Sequence, residues 1–498
     1  MRYRIHEIKL NMNQSKDTIE EEILKRLDRS DLKIHDIKIV KESIDARRRP
    51  DIKLVYSVDF SCDEELPLNE VKNTHYEFPK VKGKTKSPVI AGFGPCGIFA
   101  ALALAEAGLT PIVIERGAPI EERVADVEEF WNSGILNPES NVQFGEGGAG
   151  TFSDGKLTTG IKDIRIRKVL QEFVEAGADE AILYKQKPHI GTDCLRNVVR
   201  NLRKKIESLG GQVRFHMKLE SLDIDENRQL RGINTSGGYV EADSLILAVG
   251  HSARDTFEML YDSLLPMEQK PFSIGVRIEH RQEMIDKVQY GNPEFAKVLG
   301  PSDYKLNYKC KNGRGVYTFC MCPGGQVIDA SSEKNTAVTN GMSLSRRDSQ
   351  YANSGLLVDV RCEDFQSEHP LAGVEFQRKY ERLAFEQGGG RIPKTSYGNF
   401  KIKKDDAVRK SLPDFASESI IEAMPYLARK LRGFDGDEAM LSAVESRSSS
   451  PVRIRRDENH ESAIKGVYPA GEGAGYAGGI MSAAVDGIKT AEKAVIIL

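Results

Sequence analysis

The sequence predicts an α/β protein built on a Rossmann-like domain, with a small α+β domain before it and a mixed α+β domain inserted into it. Three observations predict this architecture. Residues 89–117 carry a strand, a glycine turn, a helix and a second strand. Two more apolar strands, Leu245–Val249 and Gly466–Pro469, each lead into a glycine-rich turn. Residues 1–87 carry alternating patterns of their own before the first glycine motif.

The first glycine motif is G-x-G-x-x-G, formed by Gly92, Gly94 and Gly97 between strand Val89–Ala91 and a predicted helix. The first glycine permits the tight turn, the second lets a pyrophosphate approach the backbone, and the third lets the helix pack on the strand. The helix N-terminus offers free N–H groups and a partial positive charge to the phosphates. Glu115 follows Gly92 by 23 positions, where a carboxylate binds ribose hydroxyls and repels a 2′-phosphate. The pattern therefore predicts an adenine dinucleotide site.

The N-terminal domain is predicted over residues 1–87 as a ferredoxin-like α+β unit. Hydrophobic periodicity gives the order strand, helix, strand, strand, over Tyr3–Lys9, Thr18–Leu27, Ile34–Val40 and Ile52–Phe60. A basic segment, Lys80–Ser87, is predicted to link this domain to the next.

The remaining elements divide the chain into further domains. Helices are predicted at 120–132, 165–176, 192–209, 375–386, 418–431 and 480–497, and strands at 211–215, 219–223, 239–241, 272–278, 316–322 and 356–360. The Rossmann-like domain is therefore expected to be discontinuous, over 88–265 and 445–498. Residues 266–444 are expected to form the inserted substrate or cap domain.

Composition restricts the function classes. The 498 residues are 40% hydrophobic and 29% charged with a net charge of −3, which gives no electrostatic support for a nucleic-acid or membrane partner. The sequence shows no apolar run long enough to span a bilayer and no signal-peptide core, and its seven scattered cysteines match neither a disulfide scaffold nor a metal site. We expect a soluble, cytoplasmic protein without a structural metal; the oligomeric state stays open.

Three further glycine-rich segments narrow the identity of the dinucleotide. They are Phe144–Gly160, Leu245–Ser252 and Val467–Ile480. A simple nicotinamide-dependent Rossmann enzyme needs only the first motif, whereas an extended FAD is contacted along its whole length. In flavoproteins with two dinucleotide-binding domains, a late strand ends in Gly-Asp beside the ribitol, and Gly471-Glu472 takes that place here.

The chain resembles the uncharacterised bacterial FAD-dependent dehydrogenases (NAD(FAD)-utilizing dehydrogenases), relatives of the glutathione-reductase-like flavoproteins. The resembling stretches are 92–108, 145–157, 319–327, 445–454 and 468–484. The resemblance covers about residues 88–498 and implies a glutathione-reductase-like FAD/NAD(P)-binding fold with tightly bound FAD. No second complete glycine motif with its acid follows, so NAD(P)H is expected at most as a transient electron donor.

The residues expected to hold FAD lie in these four segments, with Leu219 offering its backbone to the adenine. Ser153 and Lys156 are expected to approach the pyrophosphate or the flavin ring, and Asp154 to hold its loop. The full set is Gly92, Gly94, Pro95, Cys96, Gly97, Glu115, Arg116, Gly148, Gly150, Thr151, Ser153, Gly155, Lys156, Leu219, Ala248, Gly250, Gly471, Glu472, Gly479 and Ile480.

Catalytic residues are less explicit, because the flavin itself supplies the redox chemistry. Cys320 and Cys322 share one strand face at period two. They either exchange with a disulfide substrate, form a charge-transfer pair with the flavin, or pack as buried hydrophobes. Arg447 either binds an anionic substrate and reduced flavin, or pairs with Glu445 or Asp435. His251 follows the Gly250 turn and is the one histidine expected near the cofactor.

These observations predict an FAD-dependent oxidoreductase that passes hydride through flavin N5 to or from a small-molecule substrate. Two alternatives stay open. An FAD-dependent tRNA-modifying enzyme would use the basic run Arg47-Arg48-Arg49, although residues 1–87 contain 19 basic against 17 acidic side chains. A flavin-bound scaffold or redox sensor would bind FAD without turnover.

Overall fold

A computed structural model describes residues 1–48, 51–71, 76–79 and 87–497. Its first part is a three-stranded antiparallel sheet with one helix. The elements are β1 (Arg2–Asn11), α1 (Ile19–Leu27), β2 (Ile34–Asp45) and β3 (Lys53–Cys62), with strand order β1-β3-β2. Side chains of Ile8, Ile23 and Val58 form the core between sheet and helix. The predicted element order is present, and the ferredoxin-like assignment stays a prediction. Arg49, Pro50 and the linker residues 80–86 lie outside the described ranges.

The second part contains the glycine motif and a parallel sheet. Its elements are β4 (Val89–Ala91), α2 (Pro95–Glu106), β5 (Ile112–Ile114), α3 (Ile120–Ser133), α4 (Arg165–Glu175), α5 (Thr192–Ser208), β6 (Gln212–Arg214), β7 (Leu219–Ile224), β8 (Leu230–Thr235), β9 (Gly238–Glu241), β10 (Leu245–Leu247) and α6 (Arg254–Asp262). Strands β7, β8 and β9 form a separate antiparallel sheet. Among these elements, β8 is the strand that the sequence patterns did not predict.

The third part is the inserted region, built on an antiparallel sheet. Its elements are β11 (Met267–Gln269), β12 (Phe272–Arg281), α7 (Gln282–Tyr290), α8 (Ala296–Leu299), β13 (Asn307–Lys309), β14 (Gly315–Cys322), β15 (Gln326–Asp329), β16 (Thr339–Met342), β17 (Tyr351–Val360), α9 (Ala372–Gln387), β18 (Lys394–Ser396), α10 (Tyr397–Ile402), α11 (Ala407–Lys410), α12 (Asp414–Lys430) and β19 (Met440–Glu445). Six strands pair in the order β13-β14-β17-β12-β19-β18, and β15 pairs with β16. Buried residues of α12, such as Ile420 and Met424, pack in the same core as β12 and β17.

The last elements return to the parallel sheet. They are β20 (Val452–Ile454), β21 (Val467–Pro469) and α13 (Ile480–Ile497). The parallel sheet has the order β21-β10-β4-β5-β6, so residues far apart in sequence form one surface. Helix α13 lies directly on α2, because a Cβ at Gly487 would stand 2.2 Å from the carbonyl oxygen of Cys96. Within the described ranges, no helix combines the length and apolar character needed to cross a bilayer.

Hydrogen bonds join the parts, and two contacts illustrate this. Edge strand β2 is extended by residues 184–186: the Glu42 amide donates to the Tyr184 carbonyl at 2.8 Å, and the Gln186 amide donates to the Glu42 carbonyl at 2.9 Å. The indole N–H of Trp131 in α3 donates to the Asp329 carbonyl in β15 at 2.9 Å. The N-terminal sheet and the inserted region are therefore both held against the central domain.

Candidate functional site

One large cavity lies where the parts meet. Its volume is about 1400 Å³, and its walls include the glycine motif at β4, the loop at 143–158, the end of β10, the inserted strands β14 and β16, and the N-terminal strand β2. The carboxyl ends of β4, β5 and β10 open onto it, which is the edge where parallel sheets bind ligands. The volume exceeds that of ordinary small-molecule pockets and is large enough for an extended ligand.

The three motif glycines have different structural tasks. Gly92 has a φ of +102°, and a Cβ there would lie 2.4 Å from the Ala248 carbonyl oxygen. A Cβ at Gly97 would lie 1.9 Å from the Gly92 carbonyl oxygen, so this glycine serves helix packing and does not line the cavity. Gly94 has a permissive φ of −83°, and a Cβ there would meet only Gly148, 3.6 Å away. Gly94 therefore keeps space open between two glycine segments at the N-terminus of α2.

Glu115 anchors the turn as well as facing the cavity. Its carboxylate accepts from the amides of Phe93 at 2.8 Å, Gly145 at 2.9 Å and Gly117 at 3.0 Å. Because a carboxylate has about four lone-pair positions, one acceptor position stays available to a ribose hydroxyl. The neighbouring Arg116 binds Asp255 and Glu139, which fixes its guanidinium over the ring of Phe144.

The loop at 145–157 closes the cavity from the second side. Gly148 and Gly155 have φ of +63° and +65°, which bends the backbone into the loop. Ser153 uses its hydroxyl inside the loop, donating to the Gly150 carbonyl at 2.7 Å and accepting from the Gly155 amide at 3.1 Å. The Lys156 ammonium donates to the Met321 carbonyl of β14.

Asp154 fastens this loop to the inserted region. It accepts hydrogen bonds from Ser343 and from the Arg347 guanidinium, whose Nε lies 3.1 Å from Oδ1. The expectation that Asp154 holds its loop agrees with this geometry. Thr151, by contrast, is buried behind the loop and donates to the Glu146 carbonyl at 3.3 Å.

The third and fourth segments present bare backbone. Gly250 and Gly479 have φ of +75° and +106°, and a Cβ at either position would meet nothing within 4 Å. Gly471 faces Cys96 instead and donates its amide to Asp486 at 2.7 Å, so it does not line the cavity. Glu472 does line it, and burial raises its pKa to about 7, although the Gly479 amide and Lys270 act in the opposite direction.

The expected FAD residues thus divide into two groups. Gly97, Thr151 and Gly471 support the walls from behind. The others line the cavity: Gly92, Gly94, Pro95, Cys96, Glu115, Arg116, Gly148, Gly150, Ser153, Gly155, Lys156, Leu219, Ala248, Gly250, Glu472, Gly479 and Ile480. Exposed backbone at glycines, an available Glu115 oxygen and sufficient volume fit an extended FAD.

The two cysteines do not share one regular strand face. A β-bulge lies between Phe319 and Cys322, with Cys320 at a φ of +40°, so Cys320 is exposed to the cavity and Cys322 is buried. Surrounding protein raises the pKa of the Cys320 thiol, while Lys156 and Arg277 act to lower it. Burial raises the pKa of Cys322 to about 12. Both are thiols at neutral pH, which does not favour thiolate exchange with a disulfide.

Arg447 lines the cavity, and its ion-pair partner is Glu381, whereas the sequence offered Glu445 or Asp435 as partners under one of two alternatives. Its Nη2 lies 2.9 Å from Glu381 Oε2, and its Nη1 donates to Ser332 at 2.6 Å. Arg254 binds the same carboxylate at 2.7 Å, and both Glu381 and Arg254 have side-chain exposure of 0%. Burial alone would raise the pKa of Glu381, but these two guanidiniums hold that pKa well below its ordinary range.

His251 lies beside this network and lines the cavity. Burial, Arg447 and Arg254 lower its pKa to about 3, so its imidazole is neutral at physiological pH. Its Nδ1 is 3.0 Å from the Ser252 hydroxyl. His251 is thus a neutral group that lines the cavity at the Gly250 turn, and its position near a cofactor stays a prediction.

The sequence patterns missed a buried ion pair at the inserted wall, in which Glu445 lines the cavity and Arg277 lies behind it. Arg277 of β12 has side-chain exposure of 0%, and its Nε and Nη2 each lie 2.6 Å from a Glu445 oxygen. It also donates to the Cys320 carbonyl at 2.9 Å and to Asn340 at 3.1 Å. An arginine inside an apolar alternating strand was the available signal, because such a charge is buried only with a partner. This pair fixes the bulge that exposes Cys320.

Two comparisons concern parts of the chain. Residues 271–448 match a family model described as "FAD-dependent protein, C-terminal domain-like". Residues 2–61 match a domain of unknown function, DUF8436. The first match covers the inserted sheet that forms one wall of the cavity.

Solved structures with flavoenzyme names resemble the chain only distantly. Glycine oxidase from Bacillus cereus is 11% identical, with 83% of this chain and 95% of that chain covered and a TM-score of 0.35. L-proline dehydrogenase from P. horikoshii is 11% identical, with 83% and 93% covered and a TM-score of 0.33. CtdE in complex with FAD is 12% identical, with 83% and 84% covered and a TM-score of 0.31.

The full-length comparison is much closer. An uncharacterized protein of Clostridium beijerinckii is 45% identical over 531 aligned positions, which cover 99% of each chain. Identity at that level over nearly the whole of both chains means a shared fold. The chain belongs to the same family as this clostridial protein, and it carries within it the C-terminal-type domain of FAD-dependent proteins.

Proposed function

We propose that this protein is an FAD-dependent oxidoreductase with a small-molecule substrate. The observation that carries the proposal is the single cavity shared by the glycine segments and the inserted sheet matched to FAD-dependent proteins. The glycine segments offer a place for the cofactor, and the inserted strands offer a separate wall for a substrate. A simple dinucleotide-binding domain has no need of the second wall.

Each wall has its own part in binding. The Gly94 amide would take the pyrophosphate in the gap beside Gly148, since neither glycine carries a side chain there. Glu115 would take the ribose with its remaining acceptor position, and Glu472 would contact the ribitol side. Bound FAD would supply hydride transfer at N5.

The inserted wall would hold the substrate. Cys320 and Asn340 line it from β14 and β16, and Arg277 and Glu445 fix both strands from below. Because Cys320 is a neutral thiol, its expected task is contact with the substrate and not nucleophilic attack. NAD(P)H is proposed only as a transient donor.

The tRNA-modifying alternative has less support. Arg47 binds Asp45 through two hydrogen bonds of 2.6 and 2.8 Å, so one charge of the basic run is neutralised locally. No specific observation favours a flavin-bound scaffold over an enzyme.

The test uses the purified protein and its visible absorbance spectrum. The wild type is expected to carry FAD or to bind added FAD, and Gly94→Val to lose it. Gly94 tolerates a side chain conformationally, so the variant should fold while its methyl groups fill the gap to Gly148. Gly160→Val is the matched control, because Gly160 is exposed, lies away from the cavity and has open space around it. A colourless wild type that binds no added FAD would refute the proposal.

Turnover is measured separately. Reduction of the bound flavin by NADH, NADPH or a reduced quinone, followed by reoxidation with candidate acceptors, distinguishes an enzyme from a non-turning-over flavin protein. Bound FAD that none of these donors reduces would favour the scaffold.

A further inference from the structure

The N-terminal domain contributes its own residues to the cavity. Lys41, Ser43, Asp45 and Arg47 at the end of β2 line it together with Gly94, Lys156 and Cys320. The domain reaches this position through the pairing of Glu42 with residues 184–186, and the Lys16 ammonium, 2.7 Å from Glu42, lies 5.3 Å from the Tyr184 ring centre. A domain matched only to an unknown function therefore forms part of the ligand site.

The central domain and the inserted region contribute charged residues to the same cavity. Lys187 directly follows residues 184–186, which pair with β2, and Asp303 and Lys305 lie between α8 and β13. Lys187 and Asp303 form an ion pair of 2.7 Å, as Arg47 and Asp45 do at 2.6 Å. These two pairs bring no net charge.

Two further lysines line this part of the cavity, which we call its mouth. Lys41 and Lys305 are exposed, line the cavity from different domains, and have no carboxylate partner in the part of the chain that the structure describes. Together with the two ion pairs, the lysines bring the charged side chains named at the mouth to four cations and two anions. Cations at the opening of a cavity raise the local concentration of an anionic ligand and orient it as it enters.

Resting on the proposed function, we propose that the N-terminal domain and the inserted region together form an anion subsite, in which Lys41 and Lys305 bind the acidic end of the substrate while its reacting end lies at the inserted wall. The substrate class is a small molecule bearing carboxylate or phosphate groups. A long nucleic acid is disfavoured, because residues 1–87 carry nearly balanced charge and a strand of RNA needs an extended basic face.

The test measures anion binding to the purified full-length protein by isothermal calorimetry, with inorganic pyrophosphate and citrate as separate probes at low ionic strength. FAD is added first, so that the cofactor's pyrophosphate site is filled. We expect at least one probe to bind the wild type. We expect the double variant Lys41→Glu/Lys305→Glu to weaken that binding by at least about fivefold, since two attractions become repulsions.

Two matched variants isolate the charge effect. Lys41→Arg/Lys305→Arg keeps the charge and should keep the affinity. Lys38→Glu/Lys309→Glu makes the same charge change at exposed lysines of the same two regions that do not line the cavity, and should leave affinity within about twofold. Tight binding of citrate alone would indicate a substrate with carboxylate groups. Tight binding of pyrophosphate alone would indicate a substrate with phosphate groups.

The outcomes separate the two proposals. Three results would overturn the anion subsite. The first is unchanged affinity in the Lys41→Glu/Lys305→Glu variant, and the second is an equal loss of affinity in the Lys38→Glu/Lys309→Glu control. The third is no binding of either probe at 10 mM (on the order of the weakest useful affinity). Binding of a 20-nucleotide RNA (roughly one short strand) without binding of the small anions also overturns it. A protein that binds no FAD but loses probe affinity in the Lys→Glu pair refutes the flavin function and leaves the anion subsite supported.

Discussion

Replacing Glu381 with glutamine tests the buried charge network behind the cavity. The Glu381 carboxylate accepts from Arg254 at 2.7 and 2.8 Å, from Arg447 at 2.9 and 3.1 Å and from Ser446 at 2.6 Å. Glu381→Gln keeps the shape but removes the charge between two guanidiniums and puts an N–H₂ donor against other donors. Breaking a buried pair by removing one partner costs about 3–5 kcal/mol, so we expect a free energy of unfolding lower by about that amount.

The assay is urea unfolding followed by far-ultraviolet circular dichroism and by the fluorescence of Trp131. This single tryptophan contacts the inserted region through Asp329, so its signal reports on the same interface. With a denaturant slope of about 3 kcal/mol/M, a loss of about 3 kcal/mol lowers the urea midpoint by about 1 M.

Glu375→Gln is the matched control on the same helix, α9. Glu375 pairs with Arg378 at 2.8 Å, but its side chain is 61% exposed, so the expected loss is under about 0.5 kcal/mol. Equal midpoints for Glu381→Gln and the wild type, or an equal shift for both variants, would show that the network does not hold the site together as described.

Two other predictions concern titration and reactivity. The raised pKa of Glu472, about 7, means that the folded protein binds this proton more tightly than the unfolded chain. The stability that protonated Glu472 contributes is therefore fully present below the pKa that this residue has in the unfolded chain, and it is lost as the pH rises through 7. Glu472→Gln should therefore raise the melting temperature of FAD-free protein at pH 8 but not at pH 5. Equal shifts in melting temperature at both pH values would contradict the assignment. Cys320 is accessible but protonated, so it should react slowly with iodoacetamide at pH 7 and faster as the pH rises. At every pH it should be labelled before the buried Cys322, as measured by mass spectrometry of labelled peptides. Labelling of Cys322 first would contradict the bulge geometry.

The glycine segments were predictable because their signals are local. A turn at positive φ beside a β-strand, as at Gly92, requires glycine, and the spacing to Gly97 and Glu115 follows from one turn, one helix and one strand. The same logic located Gly250 and Gly479. Element order in the N-terminal domain was equally local, since alternation and helical spacing show in short windows.

The charged partners were not predictable from one sequence. One of the two alternatives for Arg447 was an ion pair with Glu445 or Asp435. In the structure Glu445 pairs with Arg277 on the neighbouring strand, and Arg447 pairs with Glu381, which lies 66 residues earlier on α9. Such pairs depend on the relative position of whole elements. The prediction that Cys320 and Cys322 share one strand face was wrong for a related reason. Regular alternation places both side chains on the same face, but a bulge stabilised by the distant Arg277 interrupts the alternation.

The position of β21 at the edge of the parallel sheet has a consequence for biosynthesis. Its partner β10 is made with the first half of the chain, whereas β21 and the fourth glycine segment follow only after the entire inserted region. Until then, β10 is an unprotected sheet edge, open to pairing with other chains. A nascent protein therefore passes through a long interval with an exposed sheet edge, and the cavity lacks the lining of Glu472, Gly479 and Ile480 until β21 and the segment after it have been synthesised and docked.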